Sequence, residues 1–152
     1  MSIEQDIKQP GFRNPYQKAA VNLIYTLSWI RERTKAIFDA EDITPQQFNI
    51  LRILRGSYPA PLSTLQIRER MLEKMSDTSR IVDRLIGKGL VKKVTCRNDR
   101  RLVDVIITDK GKKLLERLDA RQDEIDAVLG NLSEKDANTL SELLDKIREK
   151  SE

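Results

Sequence analysis

Between Met75 and Lys88 the chain carries short hydroxyls and arginines at a spacing suited to recognition chemistry. On a helical projection Ser76, Ser79, Arg80, Asp83 and Arg84 fall on one side, and Met75, Ile81, Val82, Leu85 and Ile86 on the other. A face that is merely solvated is usually built from Glu and Lys in i,i+4 pairs. Here short donors alternate with guanidinium groups long enough to reach past them, which suits hydrogen bonding to phosphates and base edges in a DNA groove. Thr78 projects toward the apolar side. Gly87 and Gly89 then stop the helix, and two β-rich runs follow, Leu90 to Cys96 and Leu102 to Ile107. The turn between them reads Arg97-Asn98-Asp99-Arg100-Arg101, so a basic-tipped hairpin comes directly after a polar-faced helix. That order describes a winged helix.

Other chemistries are poorly provided for. The sequence has no histidine and one cysteine, so the usual general base, the usual nitrogen ligand for metals, an internal disulfide and a Cys-rich zinc site are all missing. There is no Gly-rich phosphate-binding loop either, which leaves an enzyme disfavoured and no cofactor expected. The net charge of +4 decides little, but its distribution is informative. From Leu62 to Asp104 there are 11 Lys or Arg against 6 Asp or Glu, and from Leu114 to Glu152 there are 6 against 11. The positive charge therefore coincides with the candidate site.

The site needs supports, and the surrounding sequence contains them. The first twelve residues read as an irregular arm. Asn14 caps a long helix with Pro15 at its first position, and Tyr16, Ala20, Leu23, Leu27, Ile30 and Ile37 keep helical spacing to about Ala40. Thr44-Pro45-Gln46-Gln47 is a capping box opening a helix that Gly56 ends, and Ser63 with Gln66 repeats the device for a short helix ending near Met71. The second of these buttresses the helix from Ser76 in helix-turn-helix fashion. Thr108 and Asp109 start a further helix running through Leu114, Leu118, Ile125 and Leu129 to Gly130, and Ser133 caps a last one striped with Leu140, Leu143, Leu144 and Ile147.

The run DTSRIVDRLIGKGLVKK, the turn bearing Asp99, Arg100 and Arg101, and the run VDVIITDKGKKLL together resemble the recognition helix, wing and following helix of the MarR family of bacterial transcription regulators. The resemblance extends more weakly over nearly the whole chain. It implies one chain over 1–152 that is mainly α with a small β wing: a winged helix-turn-helix lobe at 44–108 between dimerisation helices at 14–40 and 109–152. It further implies that Asp99 steadies Arg101 as the wing tip enters a minor groove. That role is also physically reasonable, because a narrow minor groove concentrates negative potential and a carboxylate can hold a guanidinium fork in one orientation.

The apolar stripes at both chain ends have no evident cover within one winged-helix lobe, so a homodimer is expected. Its two recognition helices would stand roughly 10 base pairs apart and prefer a near-palindromic duplex. Each half-site would then be read by Ser79, Arg80 and Arg84, with Asp83 on the same face and Ser76, Thr78 and the helix N-terminus on phosphates. Trp29, Tyr25, Phe38 and Phe48 fit either plain core or the lining of a pocket for a small aromatic or lipophilic effector, which the resembled family often binds. Lys92 and Lys93 fit either phosphate contact or protection of a sheet edge. Cys96 reads as a small half-buried hydrophobe rather than a redox sensor. The N-terminal residues lack the pattern of a secretion signal and no apolar run is long enough to span a bilayer, so no membrane role and a cytoplasmic location are expected. The runner-up is a winged helix used to bind protein, for which an apolar patch on the recognition helix is expected.

Overall fold

The structure, a computed structural model, describes residues 1–95 and 103–150. They form two compact units, one of residues 37–123 and one of residues 1–36 with 124–152.

In the first unit, α3 (Pro45–Ser57) begins at Thr44, whose hydroxyl accepts the Gln47 N–H while Gln47 Oε1 accepts the Thr44 N–H, both at 3.1 Å. The reciprocal box satisfies two helix-end donors, as its residue types predict. Gly56 does not terminate this helix. The turn runs on to Ser57, and Tyr58 leaves it for extended backbone because the following Pro59 disfavours the helical region. A two-residue strand, β1 (Leu62–Ser63), follows, and Ser63 also caps α4 (Thr64–Arg70) through the expected box with Gln66. After α5 (Thr78–Gly87) come β2 (Val91–Thr95) and β3 (Val103–Ile107), then α6 (Asp109–Asp119), capped by Thr108.

The sheet is antiparallel in the order β1-β3-β2, with Leu62 opposite Val105 and Val91 opposite Ile107. β1 is too short to show alternation in the sequence; it exists because the edge of β3 receives it. Ile50, Leu51, Leu54, Ile67, Leu85 and Leu115 are among the residues fully buried in the core between α3, α4, α5, α6 and the sheet. Burying such side chains contributes about 1.5–3 kcal/mol each. Gly111 marks the tightest approach, since a Cβ there would lie 2.4 Å from the Leu90 carbonyl oxygen and 2.7 Å from Ile107 Cγ1.

The second unit contains α1 (Ile3–Asp6), most of α2 (Pro15–Asp39), most of α7 (Gln122–Asp126), a 3₁₀ turn (Ala127–Leu129) and α8 (Glu134–Ile147). Asn14 Oδ1 accepts the Gln17 N–H at 2.8 Å, so the predicted start of α2 is the observed one. The arm is not wholly irregular, because Ser2 and Gln5 form a capping box around α1. Nor does the helix from Asp109 run unbroken to Gly130. Its buried face ends at Leu118, whereas α7 and the 3₁₀ turn hold no fully buried residue, and the helix breaks at residues 120–121. In consequence α6, read from the sequence with the terminal helices, packs on α3 within the first unit.

Candidate nucleic-acid interface

The helix expected from Ser76 starts two residues later. Asp77, at φ −76° and ψ 85°, is the N-cap, and its Oδ1 accepts the Arg80 N–H at 3.2 Å. From there α5 packs on α3, α4 and β2, with Val82 and Leu85 buried. Its far end closes with Gly89 at φ 72°, where the Gly89 N–H donates to the Ile86 carbonyl at 2.9 Å and the Leu90 N–H to the Leu85 carbonyl at 3.0 Å. This is a Schellman closure, and the positive φ is why glycine stands there.

Four further bonds anchor that end to the base of the wing and to the turn before α3. Thr108 Oγ1 donates to the Gly89 carbonyl at 2.7 Å, and Lys110 Nζ to the Lys88 carbonyl at 2.8 Å. Lys88 Nζ donates in turn to the Asp42 carbonyl and, at 3.2 Å, to Gln47 Oε1. The oxygen that closes the α3 cap thus also holds the end of α5.

Anchored at both ends, α5 exposes Ser79, Arg80, Asp83 and Arg84 along one face. Arg80 Nε lies 3.9 Å from Asp77 Oδ2, with both side chains well exposed. Such a pair is weak as a stabiliser and leaves the guanidinium donors open to a partner. Arg84 borders a hollow of about 420 Å³ that Gln46, Glu73, Ser76 and Asp77 also line. The apolar patch required of a protein-docking helix is not the character of this face.

Two of the expected phosphate contacts are placed otherwise. Thr78 is 4% exposed, and its Oγ1 is buried with no partner among the described residues, so its side chain faces the lobe as its projection indicated. Only its backbone remains for a phosphate. Ser76 lies outside the helix, half-buried, and its hydroxyl donates to Glu73 at 3.5 Å. Glu73 also accepts from Gln46 Nε2 at 3.1 Å. Sequence reading missed Asp77 and Glu73. Asp77 carried a signal in the run Ser-Asp-Thr-Ser, where each residue type can cap and only the placement of Val82 and Leu85 decides which does.

On the wing, Lys92 and Lys93 are exposed on β2, and Val94 pairs with Asp104 on β3. Arg97, Asp99, Arg100 and Arg101 at the turn, together with Cys96 and Leu102, lie outside the described residues. Of the four aromatics considered for an effector pocket, Phe38 and Phe48 pack against each other in the lobe with centroids 5.1 Å apart. Tyr25 and Trp29 instead border a cavity of about 580 Å³ in the other unit, with α1, Lys18 and Asn131. Phe38 and Phe48 do not line it.

The arrangement has known counterparts. The model of the MarR family matches residues 43–103, which run from the turn before α3 to the first residue of β3. The transcriptional regulator FarR of Neisseria gonorrhoeae is 30% identical over 72% of this chain and 77% of its own length. The chain belongs to the MarR family of winged helix-turn-helix transcriptional regulators. Its fold resembles that of a MarR variant from E. coli complexed with operator DNA, at 22% identity and a TM-score of 0.71, covering 98% of this chain and all of that one. It also resembles Bordetella bronchiseptica BpsR, whose DNA binding is regulated by 6-hydroxynicotinic acid, at 22% identity and a TM-score of 0.67 over 84% and 99% of the two chains. Like these MarR-type structures it is mostly helical with a small antiparallel sheet. Among the described residues no helix is long and apolar enough to cross a membrane.

Proposed function

We propose that two copies of this chain associate through their terminal helices and bind a near-palindromic duplex site, repressing transcription from it. The observation that carries this reading is the outer face of α5, where Ser79, Arg80, Asp83 and Arg84 are exposed on a helix anchored at both ends. Such a face offers donors of the kinds that bind base edges, and pre-anchoring lowers the entropy lost on binding. Arg80 and Arg84 read bases, Ser79 contacts base or phosphate, and the wing turn with Arg97, Asp99, Arg100 and Arg101 lies against the adjacent minor groove.

Association is supported by apolar residues open to solvent in the single chain. Tyr16 and Ile24 on α2 are 84% and 73% exposed, and Leu143 and Ile147 on α8 are 55% and 66% exposed. Two-fold pairing turns a short half-site into a site of useful specificity, because two recognition helices bind one duplex together. Occupancy of such a site across a promoter excludes polymerase, which is why the output is read as repression. Release by a small aromatic or lipophilic effector is supported by the BpsR counterpart. Linkage then requires DNA to weaken effector binding by the same factor that effector weakens DNA binding.

Titration onto duplex DNA at rising salt tests the core of this reading. The logarithm of the binding constant should fall with log salt by about 0.9 per phosphate neutralised. A shallow dependence, or none, rejects it.

A further inference from the structure

Asp77 stands where α5 begins, beside the residues expected to read bases, and nothing above gives it a role beyond capping. Its side chain is 66% exposed; Oδ1 accepts the Arg80 N–H and Oδ2 lies 3.9 Å from Arg80 Nε. Glu73, held by Gln46 and Ser76, borders the same hollow. Two carboxylates therefore flank the first turn of the helix. They offset the positive end of its dipole and repel phosphate, so this end is a poor seat for the DNA backbone.

Carboxylate oxygens only accept hydrogen bonds, and the donors exposed in a major groove are the exocyclic amines of cytosine and adenine. Adenine sets its N7 acceptor beside its amine, opposing a carboxylate, whereas cytosine presents the donor alone. The guanidinium of Arg80, beside Asp77, has the fork that fits guanine O6 and N7.

Resting on the DNA-binding reading above, we infer that Asp77 specifies a base: its carboxylate accepts from the N4 amine of a cytosine at one position of each half-site while steadying Arg80 for a nearby guanine.

The test uses the full chain and its Asp77→Asn and Asp77→Ser variants, each selecting from a duplex library with randomised positions. Asn and Ser cap helices about as well as Asp, and thermal melting checks that α5 persists. The parent should favour cytosine at one position per half-site by about fivefold or more. Asp77→Asn should shift that position toward adenine, Asp77→Ser should leave it unspecified, and both should weaken the neighbouring guanine preference and bind random duplex more tightly, with preferences at the remaining positions unchanged. Retention of the parental preference in both variants overturns the inference, as does an equal change of affinity on every duplex with no change in preference. A parent that selects a site kept by both variants sinks only the role of Asp77. A parent that selects nothing and binds duplex without salt dependence sinks the DNA-binding reading with it.

Discussion

Under the proposed DNA-binding role, Arg84 and Arg101 carry different shares of the work. Arg84 is exposed on the outer face of α5 beside a hollow lined by polar side chains, the setting of a side chain that reaches a base edge. Arg101 belongs to the basic run 97–101, proposed to meet the DNA at the minor groove. Arg84→Ala should therefore cost about 1–3 kcal/mol on the preferred duplex and relax selection at one half-site position. Arg101→Ala should instead weaken binding to all duplexes and lower the salt slope by about one. Fluorescence anisotropy on preferred and scrambled duplexes at several salt concentrations separates the two; equal losses on both duplexes for both variants would contradict the division.

The precision of α5 depends on the elements that hold it. In the first turn of α6, against Leu90 and Ile107, Gly111 leaves no room for a side chain, and the obstacle is partly the Leu90 carbonyl, which cannot rotate away. Gly111→Ala should cost about 1–3 kcal/mol in urea unfolding through overpacking, despite the better helix propensity of alanine. The turn before α3 is tied to α6 as well. The Arg117 guanidinium binds both Glu41 carboxylate oxygens, at 2.8 to 3.1 Å, and holds that carboxyl below its usual pKa of 4.5, against a smaller opposing effect of burial. Because the folded value lies below the unfolded one, the stability from this pair is full above about pH 4.5 and is lost as pH falls through the folded value. Glu41→Gln should lower stability at neutral pH and flatten its decline in acid, with the two proteins converging at the lowest pH. Denaturant midpoints measured between neutrality and pH 3 check this; parallel curves would remove the pair from the acid response.

For the whole molecule the decisive matter is the apolar surface at the chain ends. Leu143 and Ile147 are already exposed in one chain, so Leu143→Asp and Ile147→Asp remove little packing from it. If a second copy covers α8, the charge is buried on association and the pair separates. Sedimentation of the doubly substituted chain should show monomer with unchanged helicity, and its affinity for a two-half-site duplex should drop toward that for a single half-site. A parent chain that is itself monomeric at working concentrations would reject the dimer.

Much of this protein was legible before any coordinate. The caps at Asn14, Thr44, Ser63, Thr108 and Ser133, the apolar spacing of α5 and the glycine that ends it are local signals, each written in a few neighbouring residues, and local signals survive without the rest of the chain. What the tertiary structure decided depends on residues distant in sequence. Packing chose Asp77 over Ser76 as the start of α5 and buried Thr78; it gave β1 a partner in β3 and ended α6 where its buried face ran out at Leu118. It also paired Phe38 with Phe48 in one unit and set Tyr25 and Trp29 on a cavity of the other. A periodic stripe states that a face will be covered; only the folded chain states by what, because burial is a property of surfaces brought together and not of the order of residues.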